Sequence, residues 1–127
     1  MFEDKTQAFL NDILEAAKRI TLYTDNIPYE AFLSDIKTQD AVVRNLEIIG
    51  EATKQIPDEI RQHAPHIPWK SITGMRDKLI HQYFGVNLDI VWNVVQDDLP
   101  KLVEAIESIL SAINMENSTT DTDRGSE

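Results

Sequence analysis

The sequence predicts an all-α protein, an up-down bundle of four main helices whose last helix is kinked or split at Pro100. Apolar residues recur every three or four positions along most of the chain, and no segment shows the alternation typical of a β-strand. The breaks between periodic segments contain prolines, glycines or small polar residues, which end helices. At 127 residues, with 42% hydrophobic residues, the chain fits one domain with one core.

The first predicted helix spans roughly residues 4–23 and ends before a turn that contains Pro28. A single turn of helix is expected at Tyr29–Leu33. The second long helix is predicted to begin near Thr38–Asp40, which offers an N-cap, and to stop at Pro57. Its core-facing side is predicted to carry Val42, Leu46, Ile49, Thr53 and Ile56.

After a proline-rich stretch that allows one helical turn at Asp58–Gln62, the third long helix is predicted to start near Trp69. It should end by Gly85, which can take the left-handed conformation after a helix. Its buried residues are predicted to be Ile72, Met75 and Leu79.

Asn87 can cap the last helix, whose apolar stripe continues to Ile113. Pro100 lies inside this stripe and lacks a backbone N–H, so it should kink or split the helix. The folded domain is therefore predicted at residues 1–113. Residues 114–127 show no periodicity and hold one apolar side chain, so we expect a disordered acidic tail there.

The composition limits the classes of function. The chain has no cysteine, which excludes disulfides and thiolate metal sites and is consistent with a cytoplasmic location. The N-terminal residues do not form a signal peptide, and no apolar stretch approaches the roughly 20 residues that span a bilayer. We therefore expect a soluble protein with no membrane partner.

The formal net charge of −10 argues against a broad nucleic-acid-binding surface, because phosphate contacts require Lys and Arg. The cations are not spread evenly, however. From Arg61 to His81 the chain has four cations, one acid and three histidines. This distribution favours one focused site on an otherwise acidic protein.

The candidate chemistry lies in RDKLIHQY, residues 76–83. Arg76 and His81 are five positions apart, about 140° around an ideal helix, so they do not share one helical face. They can line one cleft if the helix loosens before Gly85. A two-fold dimer can also bring two copies of the pair together.

These residue types suit RNA cleavage without a metal or another cofactor. His81 can take a proton from the ribose 2′-OH or give one to the leaving oxygen. Arg76 can hold the phosphate and stabilise the charge of the transition state, and Tyr83 can orient a phosphate. One histidine cannot easily act as base and acid at once, so two copies from two subunits make the mechanism more complete.

A purely structural interpretation stays open on spacing alone. A histidine in the last turn of a helix is a favourable partner of the helix dipole. Arg76 and Lys78 can equally form a solvated face. Arg and His separated by four residues are a short and common pattern, so the spacing does not decide between the two interpretations.

The segment RDKLIHQY resembles the HEPN signature, and more narrowly its version in the HepT family, in which Tyr follows one residue after His. Two upstream segments also resemble that family, namely RNLEIIGEA at residues 44–52 and IPWKSITGMR at residues 67–76. The resemblance covers about residues 5–113, nearly the whole predicted domain.

The resemblance implies a homodimeric bundle of four or five helices whose Arg and His meet in a cleft at the dimer interface. It implies a metal-independent endoribonuclease toxin that cleaves RNA, such as tRNA or mRNA. It also implies an antitoxin, the nucleotidyltransferase MNT, which transfers AMP to the tyrosine that corresponds to Tyr83. Asp77 matches a polar residue that often follows the family's Arg, and can orient Arg76 or tune His81.

Two other functions stay open beside this one. HEPN-like bundles also pair with nucleotidyltransferases as non-catalytic binding subunits, and the acidic composition favours a protein partner. The third hypothesis is a structural dimer with no site.

Glu47 and Glu51 share a helical face, but the helix lacks the Glu-x-x-His pattern of di-iron bundles. We therefore expect them to face the cleft or to pair with Arg44 or Lys54, and predict no metal site. Arg44 and Asn45 can also reach the cleft.

The remaining candidates have simpler interpretations. His63 and His66 have no evident third ligand, so a structural or solvated role is expected. Trp69 and Trp92 lie at core spacing and are expected in the core or at the dimer interface.

Overall fold

The computed structural model describes the backbone of residues 4–80 and 87–125 and the side chains of residues 5–74 and 87–115. Within these ranges the chain is helical and contains no β-strand, which confirms the predicted all-α class. The elements are α1 (Asp4–Thr24), α2 (Tyr29–Leu33), α3 (Ile36–Lys54), α4 (Asp58–Arg61), α5 (Trp69–Ile80), α6 (Leu88–Asn93), a π-helical turn (Val94–Asp98) and α7 (Leu99–Gly125).

The long helix α3 lies in the middle of the bundle. It packs against α1 on one side and α5 on another, and α7 closes the bundle against α1. The side chains predicted for its core-facing side are all buried, which confirms that prediction. The largest fully buried apolar side chains come from six elements: Leu10, Ile13, Ile20, Phe32, Val42, Leu46, Ile49, Ile60, Val91 and Ile106. Burial of each such side chain contributes about 1.5–3 kcal/mol.

The start of α3 differs from the prediction. The helix begins at Ile36, and its N-cap is Asp35 instead of a residue at Thr38–Asp40. The Asp35 carboxylate accepts a hydrogen bond from the Thr38 backbone N–H at 3.1 Å and one from the Thr38 hydroxyl at 2.6 Å. These hydrogen bonds from Thr38 lower the pKa of Asp35. The predicted start was wrong because Thr38 donates to the cap and is not itself the cap.

The start of α5 agrees with the prediction, since the helix begins at Trp69 directly after Pro68. Ile72 is buried as expected. The predicted burial of Met75 and Leu79 and the predicted end of this helix at Gly85 lie outside the described residues.

The last helix begins as predicted and is divided before Pro100. The side-chain oxygen of Asn87 accepts a hydrogen bond from the Ile90 N–H at 3.2 Å and so caps α6. The π-helical turn, Val94–Asp98, then separates α6 from α7. Pro100 cannot donate to the carbonyl of Gln96, and its ring would clash with that carbonyl in a regular α-helix. A wider turn at this point relieves the clash, which confirms the predicted split.

The helix α7 continues beyond the predicted domain boundary at Ile113 and ends at Gly125. Ile113 is buried, whereas Met115 is 69% exposed. The disorder expected for residues 114–127 stays a prediction. None of the helices in the described ranges is long and apolar enough to cross a membrane.

Candidate functional site

The sequence-predicted site begins on α5. The backbones of Arg76 and Asp77 belong to this helix, but their side chains lie outside the described residues. His81 and Tyr83 lie outside the described residues entirely. The approach of Arg76 to His81, and the roles of Asp77 and Tyr83, therefore stay predictions.

Trp69 anchors the N-terminus of α5, the helix that carries Arg76. This side chain is 7% exposed, and its indole N–H donates to the backbone oxygen of Ala64 at 2.9 Å and to that of Arg61 at 3.1 Å. The core position expected for Trp69 is confirmed. Arg76 lies seven residues further along α5, a rise of about 10 Å.

The guanidinium of Arg61 has a structural role. It donates to the backbone oxygen of Ile56 at 3.0 Å and to that of Thr53 at 2.9 Å, at the C-terminal end of α3. These bonds satisfy carbonyls that a helix end leaves without an intrahelical partner. Arg61, one of the four cations between Arg61 and His81, therefore joins α3 to α4. Its backbone oxygen in turn accepts the indole N–H of Trp69, so hydrogen bonds connect the end of α3 to the start of α5.

Gly74 lies two residues before Arg76, inside α5. A Cβ atom built on Gly74 would meet no atom within 4 Å in the described part of the chain. Close packing within the described residues therefore does not require a glycine at this position.

The predicted pairing of Glu47 and Glu51 with neighbouring cations is confirmed. A Glu47 carboxylate oxygen lies 3.6 Å from a guanidinium nitrogen of Arg44, and a Glu51 oxygen lies 3.7 Å from the Lys54 ammonium. Exposed pairs of this kind contribute at most about 1 kcal/mol. In the described ranges, no group of three His, Asp or Glu side chains is placed to hold a metal ion.

Both glutamates line a groove between α1 and α3 with a volume of about 440 Å³. Asp12 adds a third carboxylate to the lining of this groove, and Arg44 adds a positive charge to it. We call it the α1–α3 groove. The predicted position of Glu47 and Glu51 in a cleft with Arg76 and His81 stays a prediction.

Asn45 is 6% exposed and lies within the bundle. Its side-chain nitrogen donates to the backbone oxygen of Ala41 at 2.8 Å, whereas its side-chain oxygen is buried without a hydrogen-bond partner among the described residues. A buried acceptor without a donor costs about 1–3 kcal/mol. The predicted reach of Asn45 into the cleft stays a prediction.

The two histidines outside the motif are exposed, as expected for a solvated role. His63 and His66 border a cavity of about 660 Å³ between the segment that follows α4 and one face of α7. We call it the α4–α7 groove. This groove was not predicted, because its two sides come from segments that are far apart in the sequence.

Trp92, the second tryptophan, is half-buried against aromatic side chains of α2. Its ring centroid lies 5.4 Å from that of Tyr29 and 5.1 Å from that of Phe32, both in tilted arrangements. Such contacts stabilise a core beyond the area that they bury. Trp92 therefore packs against the edge of the core, and its predicted place in the core or at the dimer interface stays a prediction.

Comparison with known proteins identifies the family to which the sequence is similar. The family model "Ribonuclease HepT-like" matches residues 13–109. The chain is 45% identical over 111 residues to "Putative RNase MJ0127" of Methanocaldococcus jannaschii, a match that covers 87% of this chain and 92% of the relative. It is 48% identical over 101 residues to "Probable ribonuclease HepT" of Thermococcus cleftensis, with 80% and 92% covered.

A bacterial relative shows similar agreement. "Putative RNase TTE0752" of Caldanaerobacter subterraneus subsp. tengcongensis is 43% identical over 102 residues, which cover 80% of this chain and 91% of the relative. No solved structure matches the chain.

The all-helical fold, with an Arg-x4-His-x-Tyr sequence that starts on α5, defines a HEPN-type helical protein. The matched residues and the relatives define its family. This chain belongs to the HepT-like ribonuclease family, and this membership supports ribonuclease activity.

Proposed function

We propose that the protein is a metal-independent endoribonuclease, the toxin of a toxin–antitoxin pair, inhibited by transfer of AMP to Tyr83 from an MNT-type nucleotidyltransferase. The observation that carries the proposal is the family match over residues 13–109, a range that includes Arg76, His81 and Tyr83. The substrate is RNA, and the site of action is the cytoplasm.

In the proposed reaction, His81 removes the proton from a ribose 2′-OH, and the 2′-oxygen attacks the adjacent phosphorus. The bond from phosphorus to the 5′-oxygen breaks, which leaves a 2′,3′-cyclic phosphate and a 5′-hydroxyl. Arg76 holds the phosphate oxygens and stabilises the additional negative charge of the transition state. A protonated His81 gives the proton to the departing oxygen.

A homodimer supplies the second histidine that this reaction needs. Two copies of His81 can hold different protonation states, so that one acts as base and the other as acid. Asp77 is the candidate to orient Arg76 through a hydrogen bond.

Transfer of AMP to Tyr83 would inhibit this site for two physical reasons. The nucleoside would occupy space that RNA needs, and the phosphodiester would place a negative charge where an RNA phosphate binds. Tyr83 is two residues from His81, so the modification would act at the site and not at a distance.

The test is cleavage of total tRNA and mRNA by purified protein in excess EDTA, after intact mass has confirmed an unmodified Tyr83. We expect cleavage by the parent, loss in His81→Ala and Arg76→Ala, and reduced but measurable cleavage in Tyr83→Phe, which loses only the hydroxyl that can orient a phosphate. Addition of ATP and the nucleotidyltransferase should abolish RNA cleavage by the parent and leave the cleavage by Tyr83→Phe unchanged. Far-ultraviolet circular dichroism of each variant controls for folding, and His81→Ala that cleaves like the parent would exclude His81 as the catalytic group.

The second candidate function is a non-catalytic subunit that binds a nucleotidyltransferase. The net charge of −10 and the carboxylates of the α1–α3 groove favour a basic protein partner over RNA. In the same experiment, absence of cleavage by the unmodified parent, together with a stable complex with the nucleotidyltransferase, would favour this alternative.

A further inference from the structure

The α4–α7 groove has the size and lining of a ligand site. Its volume of about 660 Å³ lies in the range of small-molecule sites. The apolar part of the lining consists of three alanines and three isoleucines: Ile60, Ala64, Ala105, Ile109, Ala112 and Ile113. Such a lining offers an apolar surface against which a ligand can bury one face of a ring.

The rim of the groove is polar and available. On α7, Lys101, Glu104 and Ser108 follow each other at intervals of three and four residues, so they share one helical face. His63 and His66 lie across from them. Within the described ranges, none of these five side chains makes a hydrogen bond or an ion pair. The rim therefore offers both donors and acceptors around an apolar floor.

We propose that the α4–α7 groove binds an unpaired base of single-stranded RNA, a proposal that rests on the ribonuclease function above. A nucleobase has an apolar face for the alanine and isoleucine side chains of the groove, and its edge carries donors and acceptors for Glu104, Ser108 and the histidines. Lys101 can contact the adjoining phosphate.

The charge of the protein supports this mode of binding. Affinity that rests on phosphate contacts needs many cations, and this chain has 12 Lys and Arg against 22 Asp and Glu. Burial of a base against an apolar floor gives affinity without a positive surface. The binding should therefore depend only weakly on salt.

The groove is linked to the helix that bears the motif. Ala64 lines the groove, and its backbone oxygen accepts the indole N–H of Trp69 at 2.9 Å. Trp69 begins α5, and Arg76 follows about 10 Å along the helix axis. The groove therefore adjoins the hydrogen-bonded start of the helix that carries the motif.

The test measures binding separately from cleavage. The probe is a fluorescein-labelled single-stranded 2′-O-methyl oligoribonucleotide of mixed sequence, which has no free 2′-OH and cannot be cleaved by the proposed reaction. A second probe has the same backbone with abasic positions. Ala112→Phe fills the groove from an exposed position, and Ser111→Phe is the matched control, since Ser111 is exposed and is not part of the groove lining.

We expect Ala112→Phe to raise the Kd of the base-containing probe about tenfold and Ser111→Phe to leave it within about twofold, because burial of one apolar face of a base corresponds to about this factor. The abasic probe should bind the parent as weakly as the base-containing probe binds Ala112→Phe. Equal affinity of Ala112→Phe and the parent, equal loss in both variants, or no binding by the parent would overturn the proposal. A changed oligomeric mass of Ala112→Phe in sedimentation equilibrium would instead assign the groove to an interface between copies and would also overturn it.

The two proposals can fail independently. The uncleavable probe reports binding whether or not the protein cleaves RNA, and the cleavage assay does not depend on this probe. A parent that does not cleave RNA, but whose binding is lost in Ala112→Phe, would refute the ribonuclease function and retain the groove as a base site. A parent that cleaves, with Ala112→Phe binding normally, would refute the groove alone.

Discussion

Replacement of Trp69 by Phe tests how firmly the start of α5 is anchored. The indole of Trp69 is 7% exposed and donates to two backbone oxygens, those of Ala64 and Arg61. Phenylalanine keeps an aromatic ring at the position but removes the N–H and the second ring. The variant therefore separates the contribution of the anchor from that of a general apolar contact.

The expected loss follows from what each backbone oxygen retains. The Ala64 oxygen still accepts from the Ile67 N–H at 3.1 Å, and the Arg61 oxygen still accepts from the Ala64 N–H at 3.1 Å. Neither acceptor becomes unsatisfied, so the lost hydrogen bond costs only about 1 kcal/mol. The smaller ring leaves part of a cavity, which adds about 1–2 kcal/mol. The total of about 2–3 kcal/mol corresponds to a fall in Tm of roughly 10 °C for a domain of this size.

The assay is urea denaturation followed by far-ultraviolet circular dichroism, with Trp92→Phe as the matched control. Trp92 is half-buried, and its indole N–H donates no hydrogen bond within the described residues, so its replacement should cost about 1 kcal/mol. Equal losses of stability in the two variants would refute the anchoring role of the indole N–H. A loss below about 1 kcal/mol in Trp69→Phe would do the same.

Three further perturbations test the local structure around the site. Gly74→Ala should raise the free energy of unfolding by about 0.5–1 kcal/mol, because alanine favours the helix and its Cβ has space; a loss measured by urea denaturation would show a hidden close contact. Asn87→Ala should cost about 1 kcal/mol through loss of the α6 cap, while Asn87→Ser should recover most of it in the same assay. Asp35→Ala should lower Tm at neutral pH. The pKa of Asp35 is lowered in the folded protein, so the ionised carboxylate stabilises the fold above the unfolded pKa, and this stabilisation is lost as the pH falls through the folded pKa. The Tm difference between parent and variant should therefore shrink in acid. A Tm difference that does not change with pH would contradict the role of Asp35 as the cap.

The sequence by itself determined the features that depend on neighbours along the chain. The single turn at Tyr29–Leu33, the start of α5 at Trp69, the Asn87 cap and the split before Pro100 all agree with the structure. Each follows from apolar periodicity, a capping side chain or a missing N–H, and these act within a few residues. The motif that begins at Arg76 is equally local, so the sequence indicated it and its family without coordinates.

Local rules were less decisive where two residues compete for one role. The N-cap of α3 was predicted near Thr38–Asp40, although Asp35 is also of a residue type that caps helices. The geometry identifies Asp35 as the cap, because its carboxylate accepts two hydrogen bonds from Thr38 and fixes the start of α3. The pairing of Glu47 with Arg44 follows the same logic, since helical spacing allowed it and the side-chain positions show it.

Only the tertiary structure revealed the α4–α7 groove. His63 and Lys101 are far apart in the sequence, and no periodicity within either segment indicates that they border one cavity. The packing of the segment after α4 against α7 brings them together, while Arg61 and Trp69 fix that segment by donating to backbone oxygens. Such a site depends on how helices pack over long sequence separations, because hydrophobic burial drives this packing without specifying it in any local pattern.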